Sequence, residues 1–155
     1  MSDEPARWRH DFVERMAALG DTTGLPPSFT QVFAWLVVCD PPQQSVEQLR
    51  AALGLSAGAI SAATATLVRL GLVERVSQAG QRRLAYRLRP RAWERLLRMR
   101  LDATREICAT ADDALAHVPG PHDRLREMRA VLGHFEATLV ALLDDRREPG
   151  STRPA

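Results

Sequence analysis

Two short helices separated by a turn of a few residues constrain the fold of this 155-residue chain more than any other feature. Ser45 with Gln48 three residues later is a capping-box pattern, and it opens a helix that Gly54 closes. Ser56 is an N-cap residue directly after that turn, and it predicts a second helix over residues 57–70. Two helices joined by so short a turn are typical of a helix-turn-helix.

Two strand-like segments follow this pair of helices. Residues 72–76 include apolar and β-branched side chains, residues 84–88 alternate in polarity, and the seven residues between them include a glycine at the tip. A helix-turn-helix followed by a basic hairpin is the element order of a winged helix. The expected fold class is therefore mainly α, a winged helix-turn-helix with a small β-hairpin wing and long dimerisation helices.

Further helices are predicted before and after these elements. Apolar side chains recur every three or four residues along residues 5–19, and residues 28–39 indicate a mostly buried helix. Residues 91–118 and 123–143 each carry apolar residues at alternating spacings of three and four, the pattern of a heptad seam. Because the chain is too short to bury both seams internally, we expect them to pair two copies. The residues of that expected contact are Leu97, Leu101, Cys108, Leu115, Leu132, Phe135, Leu139 and Leu142.

The basic residues are clustered although the net charge is only +2, and all 21 of them are arginine. Residues 69–105 hold 11 arginines against three acidic residues, a local charge of +8, and the segments on either side carry −3 each. A genome rich in G and C explains the absence of lysine but not this clustering. The pattern indicates a nucleic-acid-binding face, because neutralising phosphates supplies most of the non-specific affinity.

Composition and motifs exclude several other classes. The longest uninterrupted apolar run is eight residues, against the roughly 20 that a bilayer-spanning helix needs, so we expect no membrane contact. The acidic, polar start is unlike a signal peptide and favours the cytoplasm. Cys39 and Cys108 lie far apart in apolar surroundings, which suits reduced core thiols. Without a P-loop, G-x-G-x-x-G, H-E-x-x-H or C-x-x-C motif, we expect no enzyme and no cofactor, and His117 and His122 alone predict no metal site.

A family resemblance rests on the stretch GLPPSFTQVFAWLVVCDPPQQSVEQLRAALGLSAGAISAATATLVRLGLVERV and on the AGQRRLAYRL of the hairpin. Together they resemble MarR-type winged helix-turn-helix transcriptional regulators, and within them the GbsR-like branch. The resemblance spans residues 8–88. It implies that the helix opened by Ser56 lies in the DNA major groove, that residues 78–83 reach the backbone or minor groove, and that the long helices form a dimer.

This resemblance sets the expected domain organisation. Residues 1–89 form the winged helix-turn-helix DNA-binding domain with its N-terminal helix, and residues 90–145 form a helical dimerisation arm. Residues 146–155 have the polar, Pro/Gly-containing character of a disordered tail.

The helix after Ser56 has an unusual candidate reading face. Ile60, Leu67 and Leu70 can face the preceding helix, which leaves small residues toward the groove. These are Ser56, Gly58, Ser61, Ala62 and Ala65. Such a helix can approach DNA closely but lacks the bidentate Arg, Asn or Gln that reads bases strongly, so phosphate contacts and DNA shape should carry more of the specificity. The alternative is an alanine-rich helix that reads nothing.

Arginines of the hairpin are the other candidate DNA contacts. Gln81, Arg82 and Arg83 lie beside the glycine tip, where guanidinium groups project toward a minor groove or phosphate. Arg69 and Arg75 are expected to hold phosphates at the base of the wing. The alternative for the tip is a solvated turn.

Aromatic residues are concentrated near the start of the chain. Trp8, Phe12, Phe29, Phe33 and Trp35 lie beside the position where this family often keeps a small-molecule pocket. An aromatic cage there would suit a quaternary ammonium such as choline, which the GbsR-like branch senses. The alternative is that these side chains, at helical spacing, are core.

The expected function is a DNA-binding transcriptional regulator, a dimeric repressor that binds a palindromic operator in double-stranded DNA and is released by a small-molecule effector. The alternative is a winged-helix module for protein contacts, in which the basic segment binds an acidic partner.

Overall fold

The computed structural model describes residues 4–22, 25–77 and 84–145. The chain divides into two compact units, Met1–Ala92 and Trp93–Ala155. The elements in chain order are α1 (Glu4–Thr22), α2 (Pro27–Val38), β1 (Gln44–Ser45), α3 (Val46–Leu53), α4 (Ala57–Arg69), β2 (Val73–Ser77), β3 (Leu84–Leu88), α5 (Ala92–His117) and α6 (Asp123–Asp145).

Local hydrogen bonds build the helix-turn-helix as its sequence predicts. The Gln48 N–H donates to Ser45 Oγ at 3.2 Å, and the Ser45 N–H donates back to Gln48 Oε1 at 2.8 Å. Gly54 ends α3 with a left-handed φ of 66°. Ser56 Oγ then accepts from the Ala59 N–H at 3.2 Å and starts α4. The two helices are bent by 115°, within the range of a helix-turn-helix.

The sheet has three antiparallel strands in the order β1-β3-β2. In the hairpin, Val73 lies opposite Leu88 and Ser77 opposite Leu84. The sequence analysis did not predict β1, in which Gln44 pairs with Tyr86, because two residues carry no periodicity. The hairpin and the helices before it confirm the predicted fold class. No single helix of the described ranges is long and apolar enough to cross a membrane; α3 and α4 meet the length and composition only as a bent pair.

The core of the first unit lies between α2, α3, α4 and the sheet. Its fully buried side chains include Val32, Leu49, Ile60, Leu67 and Leu72. The prediction that α4 turns Ile60 and Leu67 inward is confirmed. Leu70 is only half-buried, because it follows the end of α4 and lies at the edge of a surface groove described below.

The helices α1 and α2 come close together at Gly20. A Cβ built on Gly20 would lie 2.3 Å from Thr30 Oγ1 and 2.9 Å from Thr30 Cβ, and Thr30 is itself buried. Gly20→Ala is therefore expected to force the helices apart and lower the free energy of unfolding by about 1–3 kcal/mol, measured by urea denaturation.

Gly58 provides a matched control for this substitution. A Cβ on Gly58 would meet only Ser56 Oγ at 4.0 Å, so Gly58→Ala should gain helix propensity and stabilise by up to about 1 kcal/mol. Equal effects of the two substitutions would contradict the close approach at Gly20.

Cys39, at the end of α2, has a half-buried thiol. Burial raises the pKa of the Cys39 thiol from 9.0 to about 11, against the smaller lowering by a backbone hydrogen bond and by Arg9. Because the thiolate is the nucleophile, alkylation of Cys39 by iodoacetamide should keep accelerating from pH 9 toward pH 11. Peptide mapping separates Cys39 from the buried Cys108. A Cys39 rate that levels off near pH 9 would contradict this expectation.

The second unit is a helical hairpin of α5 and α6. Leu101, Leu139 and Leu143 are buried together, with Leu97 and Val140 packed against them. Ion pairs also join the helices: Arg105 Nε lies 3.0 Å from Glu136 Oε1, and Arg129 Nε lies 2.8 Å from Asp112 Oδ1. These contacts pair early positions of α5 with late positions of α6, so the two helices are antiparallel.

This hairpin corrects the expectation that both seams face a second copy. Leu101, Cys108 and Leu139 are already buried within one chain, and Leu97, Leu115 and Leu132 are half-buried. The physical reason is that the Pro-Gly-Pro break lets α6 fold back, so that α5 and α6 bury one side of each seam against each other. Phe135 and Leu142 of the predicted seam stay exposed.

Candidate nucleic-acid interface

The outer face of α4 is the candidate reading surface. Ile60, Ala63, Thr64 and Leu67 turn toward the core. The opposite face exposes every position that the sequence analysis assigned to DNA on this helix. They are Ser56, Gly58, Ser61, Ala62, Ala65 and Arg69.

The hydroxyls of Thr64 and of the capping Ser56 bind backbone groups of α4. The Thr64 hydroxyl donates to the Ile60 carbonyl at 2.8 Å and lies 3.1 Å from the Ser61 carbonyl, while Ser56 caps the first turn. The exposed residues from Gly58 to Ala65 are small and uncharged, and α4 contains no acidic residue. A face of this kind lets the helix backbone come close to base edges and phosphates.

Exposed arginines lie at the end of α4 and on the neighbouring β2 and α3. Arg69 closes α4, and Arg75 lies on β2, opposite Tyr86 of β3. Arg50, exposed in the last turn of α3, was not among the sequence candidates, because it lies outside the basic cluster. Its exposure next to the turn before α4 makes it a further candidate for a phosphate contact.

Other arginines of the basic cluster are bound to carboxylates. Arg87 Nε lies 2.6 Å from Glu74 Oε1, and Arg89 Nε lies 3.6 Å from Glu74 Oε2. In α5, Arg98 pairs with Glu94 at 2.6 Å. The local charge of the cluster is thus partly neutralised by its own acidic residues. The wing-tip candidates Gln81, Arg82 and Arg83 lie outside the described residues.

In the cavities lined by the described residues, the five aromatic candidates for a ligand cage lie apart. Trp8 and Phe12 line a shallow cleft along α1, whereas Phe29 lines a separate groove. Phe33 is buried, and the Trp35 ring lies against His10 and donates from Nε1 to Gln44 Oε1 at 3.3 Å. Their helical spacing distributes these side chains around α1 and α2 instead of aiming them at one point. A shared aromatic cage stays a prediction, and these positions favour the alternative that the side chains belong to helix packing.

An apolar groove of about 190 Å³ lies between the start of α2 and one flank of α4. Ala62 lies on this flank as well as beside the exposed reading face. The sequence analysis missed the groove because small residues on one helix and a Pro-Pro helix start on another have no shared sequence signal. The groove is lined by Leu25, Pro26, Ser28, Phe29, Ala62, Ala63, Thr66 and Leu70.

The histidines near the α5–α6 turn bind neighbouring backbone groups. His117 Nδ1 lies 2.9 Å from the Asp113 carbonyl, and His122 Nε2 lies 2.7 Å from the Val118 carbonyl. Among the residues that the structure describes, no three His, Cys, Asp or Glu side chains are grouped to hold a metal ion.

Known proteins resemble this chain over most of its length. A family model described as the MarR family matches residues 23–84. The HTH-type transcriptional regulator MmpR5 of Mycobacterium tuberculosis is 38% identical in an alignment of 130 residues that covers 81% of this chain and 79% of that protein. A crystal structure described as a transcriptional regulator is 36% identical with a TM-score of 0.72, over 90% of this chain and 97% of that chain.

The helix-turn-helix with its three-stranded sheet and the exposed face of α4 define a winged-helix transcriptional regulator. The chain belongs to the MarR family.

Proposed function

We propose that this MarR family regulator binds a palindromic operator as a homodimer, with α4 in the major groove and the wing against the backbone or minor groove. The observation that carries the proposal is the outer face of α4, small and free of acidic residues, with exposed Arg69 at its end and exposed Arg75 on β2. Phosphate contacts from such arginines orient a protein on DNA, and a closely approaching helix then responds to base edges and groove shape.

The homodimer is supported by an apolar row on α6. Met128, Val131, Phe135 and Leu142 are 39%, 64%, 46% and 40% exposed, and their heptad-like spacing places them along α6 beside the buried Leu139 and Leu143. A row of exposed large apolar side chains costs free energy in water, and a second copy of the same helix is the simplest partner that would cover it. The interface we propose therefore uses Phe135 and Leu142 of the predicted seam, together with Met128 and Val131.

Repression by occlusion follows from this assembly, because a dimer seated on an operator covers DNA that the transcription machinery must reach. We further propose a small-molecule effector, supported by the apolar groove beside α4, where an occupant would lie against the flank of the reading helix. We also propose that this chain belongs to the GbsR-like branch, which its sequence resembles. We further propose that the protein is cytoplasmic and has no catalytic activity, since both agree with a role in binding DNA.

Fluorescence anisotropy with a labelled random-sequence duplex tests the DNA-binding role. The logarithm of the association constant should fall linearly with the logarithm of salt concentration, with a slope of about −0.9 for each phosphate contact. Binding to an acidic polypeptide but to no duplex at any salt concentration would instead favour a protein-contact module.

A further inference from the structure

Glu74 holds two arginines at the base of the wing. It lies on β2 directly opposite Arg87 of β3, and its Oε1 is 2.6 Å from Arg87 Nε. Its Oε2 is 3.6 Å from Arg89 Nε, and the Arg89 N–H donates to the Leu72 carbonyl at 3.0 Å, which keeps Arg89 beside the start of β2. Each carboxylate oxygen therefore faces a different guanidinium.

Glu74 is a single carboxylate within an arginine-rich segment of the sequence. Residues 72–91 contain six arginines and one acidic residue, Glu74. The two arginine side chains are about half exposed, whereas Glu74 is 24% exposed. The carboxylate is thus placed behind the arginines, which present their outer edges to solvent.

We infer that Glu74 limits the affinity of the wing for DNA by competing with phosphates for Arg87 and Arg89. This inference rests on the proposed DNA-binding function. An exposed ion pair contributes only about 0–1 kcal/mol, so a phosphate can displace it. The displaced carboxylate would then remain close to the phosphate, and this repulsion opposes binding. Glu74 is accordingly a positioning residue that keeps electrostatic, sequence-independent binding weak.

Glu74→Gln is the test variant, because glutamine keeps the shape and an oxygen that can accept from Arg87 while removing the charge. In anisotropy titrations with a random-sequence duplex from 0.05 to about 0.5 M salt, the slope should steepen by about 0.9 for one freed arginine or 1.8 for two. A steepening of 0.9 corresponds to about an eightfold gain in affinity per tenfold decrease in salt.

Glu136→Gln is the matched control. Glu136 also pairs with an arginine, Arg105 at 3.0 Å, and its loss changes the net charge equally, but it lies in the α5–α6 unit. Its salt slope should equal that of the wild type. A second variant, Glu74→Gln with Arg87→Gln and Arg89→Gln, should return the slope of Glu74→Gln to the wild-type value.

The outcomes separate this inference from the proposed function. A wild-type protein that binds no duplex overturns both. If the wild type binds but the salt slope of Glu74→Gln is equal to or shallower than that of the wild type, the role of Glu74 is overturned while DNA binding stands. The same conclusion follows if the salt slope of Glu136→Gln steepens as much as that of Glu74→Gln. Matching circular dichroism melting curves confirm that each variant is folded.

Discussion

Replacing Ala65 with glutamate is expected to weaken binding to duplex DNA by at least about 100-fold. Ala65 is exposed on the outer face of α4, between Ser61 and Arg69 and opposite the core-facing side chains. A carboxylate there would lie against the phosphates or the acceptor-rich base edges of a bound duplex. Juxtaposed like charges cost several kcal/mol, and about 2.7 kcal/mol already corresponds to 100-fold in affinity.

The same substitution at Ala109 controls for charge and for helix propensity. Ala109 is exposed on α5, near the acidic Glu106 and Asp113, where one more carboxylate adds to an already acidic surface. Ala65→Glu and Ala109→Glu should both melt within a few degrees of the wild type, because both are surface substitutions. An Ala65→Glu protein that is folded and binds duplex DNA with wild-type affinity would remove α4 from the reading role.

The double substitution Val131→Glu with Phe135→Glu is expected to convert the proposed homodimer to a monomer. Both side chains lie in the apolar row of α6 and do not contribute to the buried α5–α6 cluster, so the hairpin within each chain should remain folded. Four carboxylates across a two-fold interface would replace four apolar contacts with like-charge repulsion. Light scattering at micromolar concentration should return twice the chain mass for the wild type and the chain mass for the variant.

Ala137→Glu is the control for that experiment, since Ala137 is exposed on α6 but lies outside the apolar row. This variant should stay dimeric. A wild-type protein that is monomeric throughout the micromolar range would contradict the proposal that a second copy packs against the apolar row of α6. A monomeric Val131→Glu, Phe135→Glu protein should also lose operator affinity, because one reading helix then contacts one half-site.

Features set by neighbouring residues could be predicted from the sequence alone. The capping box of Ser45 and Gln48, the left-handed Gly54 and the Ser56 cap each depend on residues a few positions apart, and all three occur as expected. The inward side of α4 was also predictable at Ile60 and Leu67, because helical periodicity decides which side chains share a face.

Features that depend on how distant elements meet could not be predicted in this way. A heptad pattern shows that a helix is covered, but it does not show whether the cover is the next helix or a second copy. Leu101 and Leu139 are buried within the chain, whereas Phe135 stays exposed. The two-residue strand β1 and the groove beside Ala62 arise only when separate segments pack together. The same holds for Glu74, whose partners are 13 and 15 residues away across the hairpin.

Dimethyl sulfate protection on a duplex selected for binding tests most directly whether α4 reads the major groove, since guanine N7 lies in that groove. The wild-type protein should protect guanines in two patches whose centres are about 10 base pairs, or a multiple of one helical turn, apart. Ala109→Glu should give the same pattern and Ala65→Glu should give none. A stable wild-type complex that leaves every guanine N7 reactive would contradict insertion of α4 into the major groove.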